Sequence, residues 1–193
     1  MLKDIVSASR SFRRFDNGVA IPMRDLEELV ELARLCPSSA NRQPLRFILC
    51  TSPSENEAVF ACLKWAAYLK DWDGPAPSER PTAYVIVVNT ARDWDMARID
   101  LGIMAQTMLL GAVEKGFGGC MLGAIDRDRL RAHLGLAQEL EISLVLALGK
   151  PVEEVQVVDM PADGSVRYWR DETGRHFVPK RSVGELILEK REG

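Results

Sequence analysis

The chain has 193 residues, enough to close one substantial core but too few for two ordinary domains, so residues 1–193 are expected to form a single domain. Hydrophobic residues make up 47% and charged residues 27%, proportions that exclude a disordered or fibrous chain. The net charge of -3 supplies no field that would gather nucleic acid, so any basic site has to be local.

Lys3 and Asp4 stand where a secretory signal needs the start of an apolar run, so export is not expected and a cytoplasmic protein is. A first helix ends in the basic cluster Arg10, Arg13 and Arg14. After Pro22, residues Leu26, Leu29, Val30 and Ala33 recur at helical spacing among Asp25, Glu27, Glu28 and Glu31, which predicts an amphipathic helix ending near Cys36-Pro37. A loop follows, and then Phe47 to Thr51 reads as a buried strand, as does the valine-rich run from Tyr84 to Asn89. Between these strands the spacing predicts a helix through Trp65, followed by the breaker segment Asp73 to Pro81, a loop with the character of a lid.

From Asp93 to Lys115 the pattern is helical, and from Leu101 to Val113 it is apolar almost all round, which predicts a long central helix inside the core. That uncharged stretch falls short of the roughly 20 apolar residues a membrane-spanning helix needs, so no membrane partner is expected. Phe117 to Leu122 and Ile142 to Leu148 read as further strands, with a short helix from Asp126 to His133 between them. Val166 to Trp169 and His176 to Val178 suit a hairpin across Asp171 to Gly174, and Ser182 to Glu185 has the form of a capping box that opens a final helix. Interleaved helices and strands that end in a hairpin point to an α+β fold with a mixed sheet rather than a pure doubly wound one.

Several chemistries find no motif. The four cysteines, Cys36, Cys50, Cys62 and Cys120, show no CxxC spacing and lie among apolar residues, so reduced thiols are expected, with Cys36 and Cys120 inert. With His133 and His176 as the sole histidines, a histidine-rich metal centre is not expected. The glycines from Gly116 to Gly123 match neither the dinucleotide fingerprint nor a P-loop, and there is no nucleophile elbow or HExxH. An enzyme built this way would rely on a bound cofactor.

Two segments carry polar chemistry. Arg10, Ser11 and Arg13 place two guanidinium forks and a hydroxyl close together, a set that matches phosphate oxygens, although alone it reads more simply as the solvated end of a helix. Pro37-Ser38-Ser39-Ala40-Asn41-Arg42-Gln43-Pro44 packs prolines, hydroxyls and amides into a rigid loop able to read a polar planar heterocycle, or else a helix-ending turn with its own Asx bonds. Trp65, Tyr68, Leu69 and Trp72 share one helical face, which suits core or dimer interface more often than a wall above a ligand.

In these segments the chain resembles the nitroreductase family of FMN-dependent reductases. The resemblance runs through Arg10 to Phe15, Pro37 to Pro44, Asp100-Leu101-Gly102 with Gln106, Gly116 to Gly118, Leu122-Gly123, Leu148 to Pro151 and Val178 to Arg181, so it spans nearly the whole chain. It implies a nitroreductase-like fold, with a central mixed β-sheet flanked by helices and a long buried central helix, assembled as a homodimer with FMN sites at the interface. Arg10, Ser11 and Arg13 would hold the FMN phosphate and ribityl chain, joined by Lys180 or Arg181, whose plainer reading is a charged step before the last helix. Pro37, Ser38, Ser39 and Asn41 would line the flavin from the partner subunit with Gln43 close by, and the backbone at Leu122 and Gly123 would approach the reactive edge of the ring. FMN then carries the chemistry and no side chain is named as catalytic. The resemblance implies that hydride would pass from NADH or NADPH through flavin N5 to a small electron-poor acceptor such as a nitroaromatic or quinone. Ser9 and Leu45 depart from the arginine and tryptophan that many relatives carry. Two alternatives stay open: a non-catalytic module that binds, sequesters or senses flavin, and a specialised flavoenzyme on the same fold, such as a reductive dehalogenase or dehydrogenase.

Overall fold

A computed structural model describes residues 1–69 and 71–192 of the chain. Helix α1 (Leu2–Ala8) leads into a short edge strand β1 (Phe15–Asp16), and α2 (Met23–Arg34) starts after Pro22, as expected. Its stripe of Leu26, Leu29 and Ala33 is buried, which is why the segment is helical: the spacing places one apolar face on the core. Strand β2 (Leu45–Cys50), helix α3 (Pro53–Phe60) and strand β3 (Ala83–Asn89) follow. Helix α4 (Ala97–Glu114), β4 (Gly118–Leu122), α5 (Arg127–Leu134) and β5 (Glu141–Pro151) complete the main body.

The central sheet runs β1-β5-β3-β2, with β4 also paired to β5. Every residue of β3 is buried, and the alternation of its side chains divides the core in two. Ala83, Val85 and Val87 pack with Met104 and Met108 of α4 and with Leu26 and Leu29 of α2. Tyr84, Ile86 and Val88 face the other way, toward Cys50, Val59, Cys120 and Leu130. Helices α2 and α4 meet closely at Gly111, where a Cβ would strike Leu32 and lie 2.9 Å from Leu29 Cδ2. The strands of this sheet pair antiparallel, and the parallel component comes from the bridge of Ser11 to Gly119 at its margin. A second sheet, of order β6-β8-β7, is built from β6 (Val155–Asp159), β7 (Trp169–Arg170) and β8 (His176–Lys180), with β6 and β8 parallel. The chain therefore has the expected α+β architecture with both helices and mixed pairing.

Several expectations shift. The central helix starts at Ala97 rather than Asp93, because residues before it close turns from Trp94 to Ala91 and from Ala97 to Trp94. No helix runs through Trp65: α3 stops at Phe60, and the main chain beyond it is stitched instead to the segment after β4, with Lys64 N–H on the Ala124 carbonyl and Asp126 N–H on the Cys62 carbonyl. Non-local backbone bonds have overridden the local helical spacing. Trp65 is buried in the core, while Tyr68 is exposed. The segment from Asp73 to Pro81 is no free lid, since Asn17 N–H bonds the Ser78 carbonyl, Arg14 pairs with Glu79 and Arg80 pairs with Glu57. The hairpin forms, but only Trp169 and Arg170 pair on its first arm. The capping box at Ser182 and Glu185 forms too, although it opens a single turn, α6 (Val183–Leu186).

All four cysteines are free, and burial pushes Cys50 up to about 11 and Cys120 up to about 12. Among the described residues no helix is long and apolar enough to cross a membrane, and no group of side chains could hold a metal ion.

Candidate functional site

The loop from Pro37 to Pro44 is held from below by one buried carboxylate. Asp100, 1% exposed in the first turn of α4, accepts the Ser38 hydroxyl at 2.5 Å and the Ser39 N–H at 2.9 Å. Ser38 Oγ in turn accepts the Gln43 N–H at 2.9 Å, which closes the loop on itself. The backbone carries strain here, since Ala40, Asn41 and Gln43 have φ values of 50°, 53° and 48° without being glycine. That conformation turns Pro37, Asn41 and Gln43 outward, while Ser38 and Ser39 are half-buried and partly committed to Asp100. Beside the loop, the Arg42 guanidinium lies 3.9 Å over the Trp94 ring.

The arginine segment lies against the edge of β4. Phe12 N–H donates to the Gly119 carbonyl at 3.1 Å, next to the Ser11 bridge, so Arg10 and Arg13 flank a fixed strand-like point. Arg10 Nη2 donates to the Val6 carbonyl at 2.7 Å, and Arg13 Nη1 to the Ser11 carbonyl at 3.2 Å. The Nε–H of both arginines is buried with no partner among the described residues. Buried donors of this kind are ordinarily satisfied, by protein, water or a ligand. Ser11 is exposed.

Leu122 packs into the core, whereas a Cβ at Gly123 would meet nothing within 4 Å. Lys180 and Arg181 are exposed at the end of β8, and Arg181 is engaged with Glu185 at 3.6 Å. Among the described residues no hydrogen bond or ion pair joins either to Arg10 or Arg13.

These parts do not converge within one chain. The loop precedes β2 at Leu45, whose partner Asn89 faces Glu141 of β5. Ser11 faces Gly119, whose partner is Leu148 at the far end of β5. At the usual rise of a strand the two ends of that stretch are on the order of 20 Å apart. The loop and the arginines also occupy opposite edges of the sheet.

Sequence reasoning missed a cluster behind Arg13. Glu153, whose side chain is fully buried, accepts the Arg13 N–H, pairs with Arg170 at 2.9 Å and lies 3.8 Å from His176 Nδ1. Burial raises the Glu153 carboxyl, but His176, the Arg13 N–H and Arg170 together outweigh it and hold its pKa below the ordinary value of 4.5. A depressed carboxylate contributes stability that is fully present above its unfolded pKa and is lost as pH falls through the folded one. Chemical denaturation from pH 7 to 3 is therefore expected to show wild-type stability falling below about 4.5 more steeply than that of Glu153→Gln. Parallel curves for the two proteins would remove this assignment.

Comparison with known proteins gives the class to which this α+β fold belongs. The nitroreductase family model matches residues 6–150, well over half of the chain, and the chain belongs to that family. It is 26% identical to a putative NAD(P)H nitroreductase, YdgI, of Bacillus subtilis, over 78% of this chain and 88% of that protein. It is 25% identical to an oxygen-insensitive NADPH nitroreductase of Helicobacter acinonychis, over 79% of this chain and 88% of that one. Among solved structures, an FMN-dependent nitroreductase from Clostridium difficile superposes with a TM-score of 0.64 at 19% identity, covering 78% of this chain and 87% of that chain. A nitroreductase family protein from Clostridium novyi superposes with a TM-score of 0.65 at 18% identity, covering 78% and 86%.

Proposed function

We propose that residues 1–193 form one FMN-binding domain of a cytoplasmic homodimer that passes reducing equivalents from NADH or NADPH to a small electron-poor acceptor, such as a nitroaromatic or a quinone. The observation that carries this reading is the pair of buried, unpartnered Nε–H donors on Arg10 and Arg13, with the exposed Ser11 between them in sequence. They suit a phosphate, which accepts several charge-assisted hydrogen bonds at once. Lys180 or Arg181, exposed cations at the end of β8, would join that grip.

FMN, when bound, supplies the hydride chemistry. The residues of the chain do the rest. Arg10 and Arg13 neutralise the phosphate, Ser11 donates to the neighbouring chain, and the open backbone at Gly123 permits close approach of a ring edge. Asn41 and Gln43 offer amides to a polar heterocycle, while Pro37, Ser38 and Ser39 shape the loop that presents them. The separation of this loop from the arginines supports a site made by two subunits, each lending one part. A dimer also accounts for the apolar faces of α1 and α4, where Leu2 is 71%, Val6 44% and Ile99 51% exposed. The names of the two bacterial relatives support a nicotinamide reductant.

Anaerobic mixing of the flavin-loaded protein with NADH and with NADPH tests the proposal. Bound FMN is expected to bleach far faster than free FMN with at least one of them, and reoxidation by a nitroaromatic or quinone is expected to restore its absorbance. Bleaching no faster than free FMN with either reductant would leave a protein that holds flavin without turnover.

A further inference from the structure

The phosphate grip proposed above has a partner outside the stretch that the family model matches. Tyr168 lies just before β7, in the C-terminal sheet. The Arg13 guanidinium carbon stands 5.1 Å from the centre of its ring. That ring is itself wedged, with the fully buried His176 imidazole at 5.2 Å and the Tyr68 ring at 5.0 Å, both tilted. The main chain of Arg13 is held separately, through its N–H, by Glu153, which Arg170 clamps while lying 4.3 Å over Trp72. Arg13 is thus held through its backbone by a carboxylate and through its head by an aromatic face and the Ser11 carbonyl, and Nε–H is left buried and unpartnered.

We infer that Tyr168 is a positioning residue for the phosphate of the flavin cofactor, acting through Arg13, an inference that rests on the FMN reading of the site. A free arginine head samples many rotamers and loses that freedom when it grips an anion. A head already lying on a ring loses less, so the ring strengthens binding without touching the ligand. Packing of Tyr168 against His176 and Tyr68 keeps the ring itself from wandering. The segment carrying Tyr168 thereby sets how strongly the protein prefers a phosphorylated flavin over its dephosphorylated form.

Measured affinities for FMN and riboflavin, which share the ring system and differ in the phosphate, test this directly. Tyr168→Leu removes the aromatic face and is expected to weaken FMN about tenfold, a factor in the range of a partly shielded cation–π contact, while riboflavin affinity stays at the wild-type value. Tyr168→Phe keeps the ring and is expected to behave as wild type toward both. In an Arg13→Ala background, Tyr168→Leu is expected to have no further effect, because the residue through which it acts is gone. Equal weakening of FMN and riboflavin, unchanged FMN affinity, or a full tenfold effect in the Arg13→Ala background would each overturn the inference. A wild-type protein that binds neither flavin would overturn the cofactor reading itself, an outcome distinct from all of these.

Discussion

Replacing Arg10 and Arg13 together by alanine is expected to give a folded protein that purifies colourless and binds added FMN weaker by a factor on the order of 10² to 10⁴. The magnitude follows from hydrogen bonds to charged groups, each worth about 1.5–3 kcal/mol, with one such interaction lost per arginine. Folding should survive because both side chains are only half-buried and sit at the margin of the sheet, where Phe12 and Ser11 keep their backbone links to Gly119. The arginine-to-lysine double variant discriminates further. It keeps the charge but loses the planar fork and the Nε–H donor, so its affinity for FMN should fall between those of wild type and the alanine variant. Stoichiometric FMN in the purified alanine variant, seen in its absorbance spectrum, would mean that the phosphate is held elsewhere. Lys180 and Arg181 would then be the first cations to replace.

The fold was legible where burial is periodic within one segment. Leu26, Leu29 and Ala33 announce α2, and the unbroken run from Tyr84 to Asn89 announces β3, because each element's core face is written at its own helical or strand spacing. It was illegible where the partner lies far along the chain. Trp65 carries helical spacing, yet the backbone just before it follows the hydrogen bonds of Lys64 to Ala124 and of Asp126 to Cys62. Val155–Asp159 becomes a strand only because β8 supplies a parallel neighbour. The candidate site divides in the same way. The loop from Pro37 to Pro44 concentrates its polar groups in one stretch, so its character shows in the sequence. Glu153, Tyr168, Arg170 and His176 are isolated residues of ordinary appearance, and they become a support for Arg13 only when the second sheet folds against it. Asp100 showed only as part of the family motif Asp100-Leu101-Gly102, and its bonds to Ser38 and Ser39 are a tertiary fact.

Asp100 is where the second large effect is expected. Asp100→Leu leaves the Ser38 hydroxyl and the Ser39 N–H facing a site with no acceptor, and each orphaned group costs about 1–3 kcal/mol. The strained backbone at Ala40, Asn41 and Gln43 loses the anchor that holds it, so the loop should relax as well. Asp100→Asn keeps one oxygen and should cost less, which orders stability as wild type, then Asn, then Leu, measurable as denaturation midpoints. Since the loop is proposed to read the ring system rather than the phosphate, Asp100→Leu should weaken FMN and riboflavin alike, unlike Tyr168→Leu. The two-subunit site adds a sharper consequence. Each loop would serve the arginines of the other chain, so mixing the Arg10/Arg13 alanine variant with Asp100→Leu puts both defects into one site of the heterodimer and leaves the other site intact. Such heterodimers are expected to regain tight binding of one FMN per dimer, although neither parent binds FMN tightly. If the mixture binds no better than its parents, the loop and the arginines do not meet across an interface.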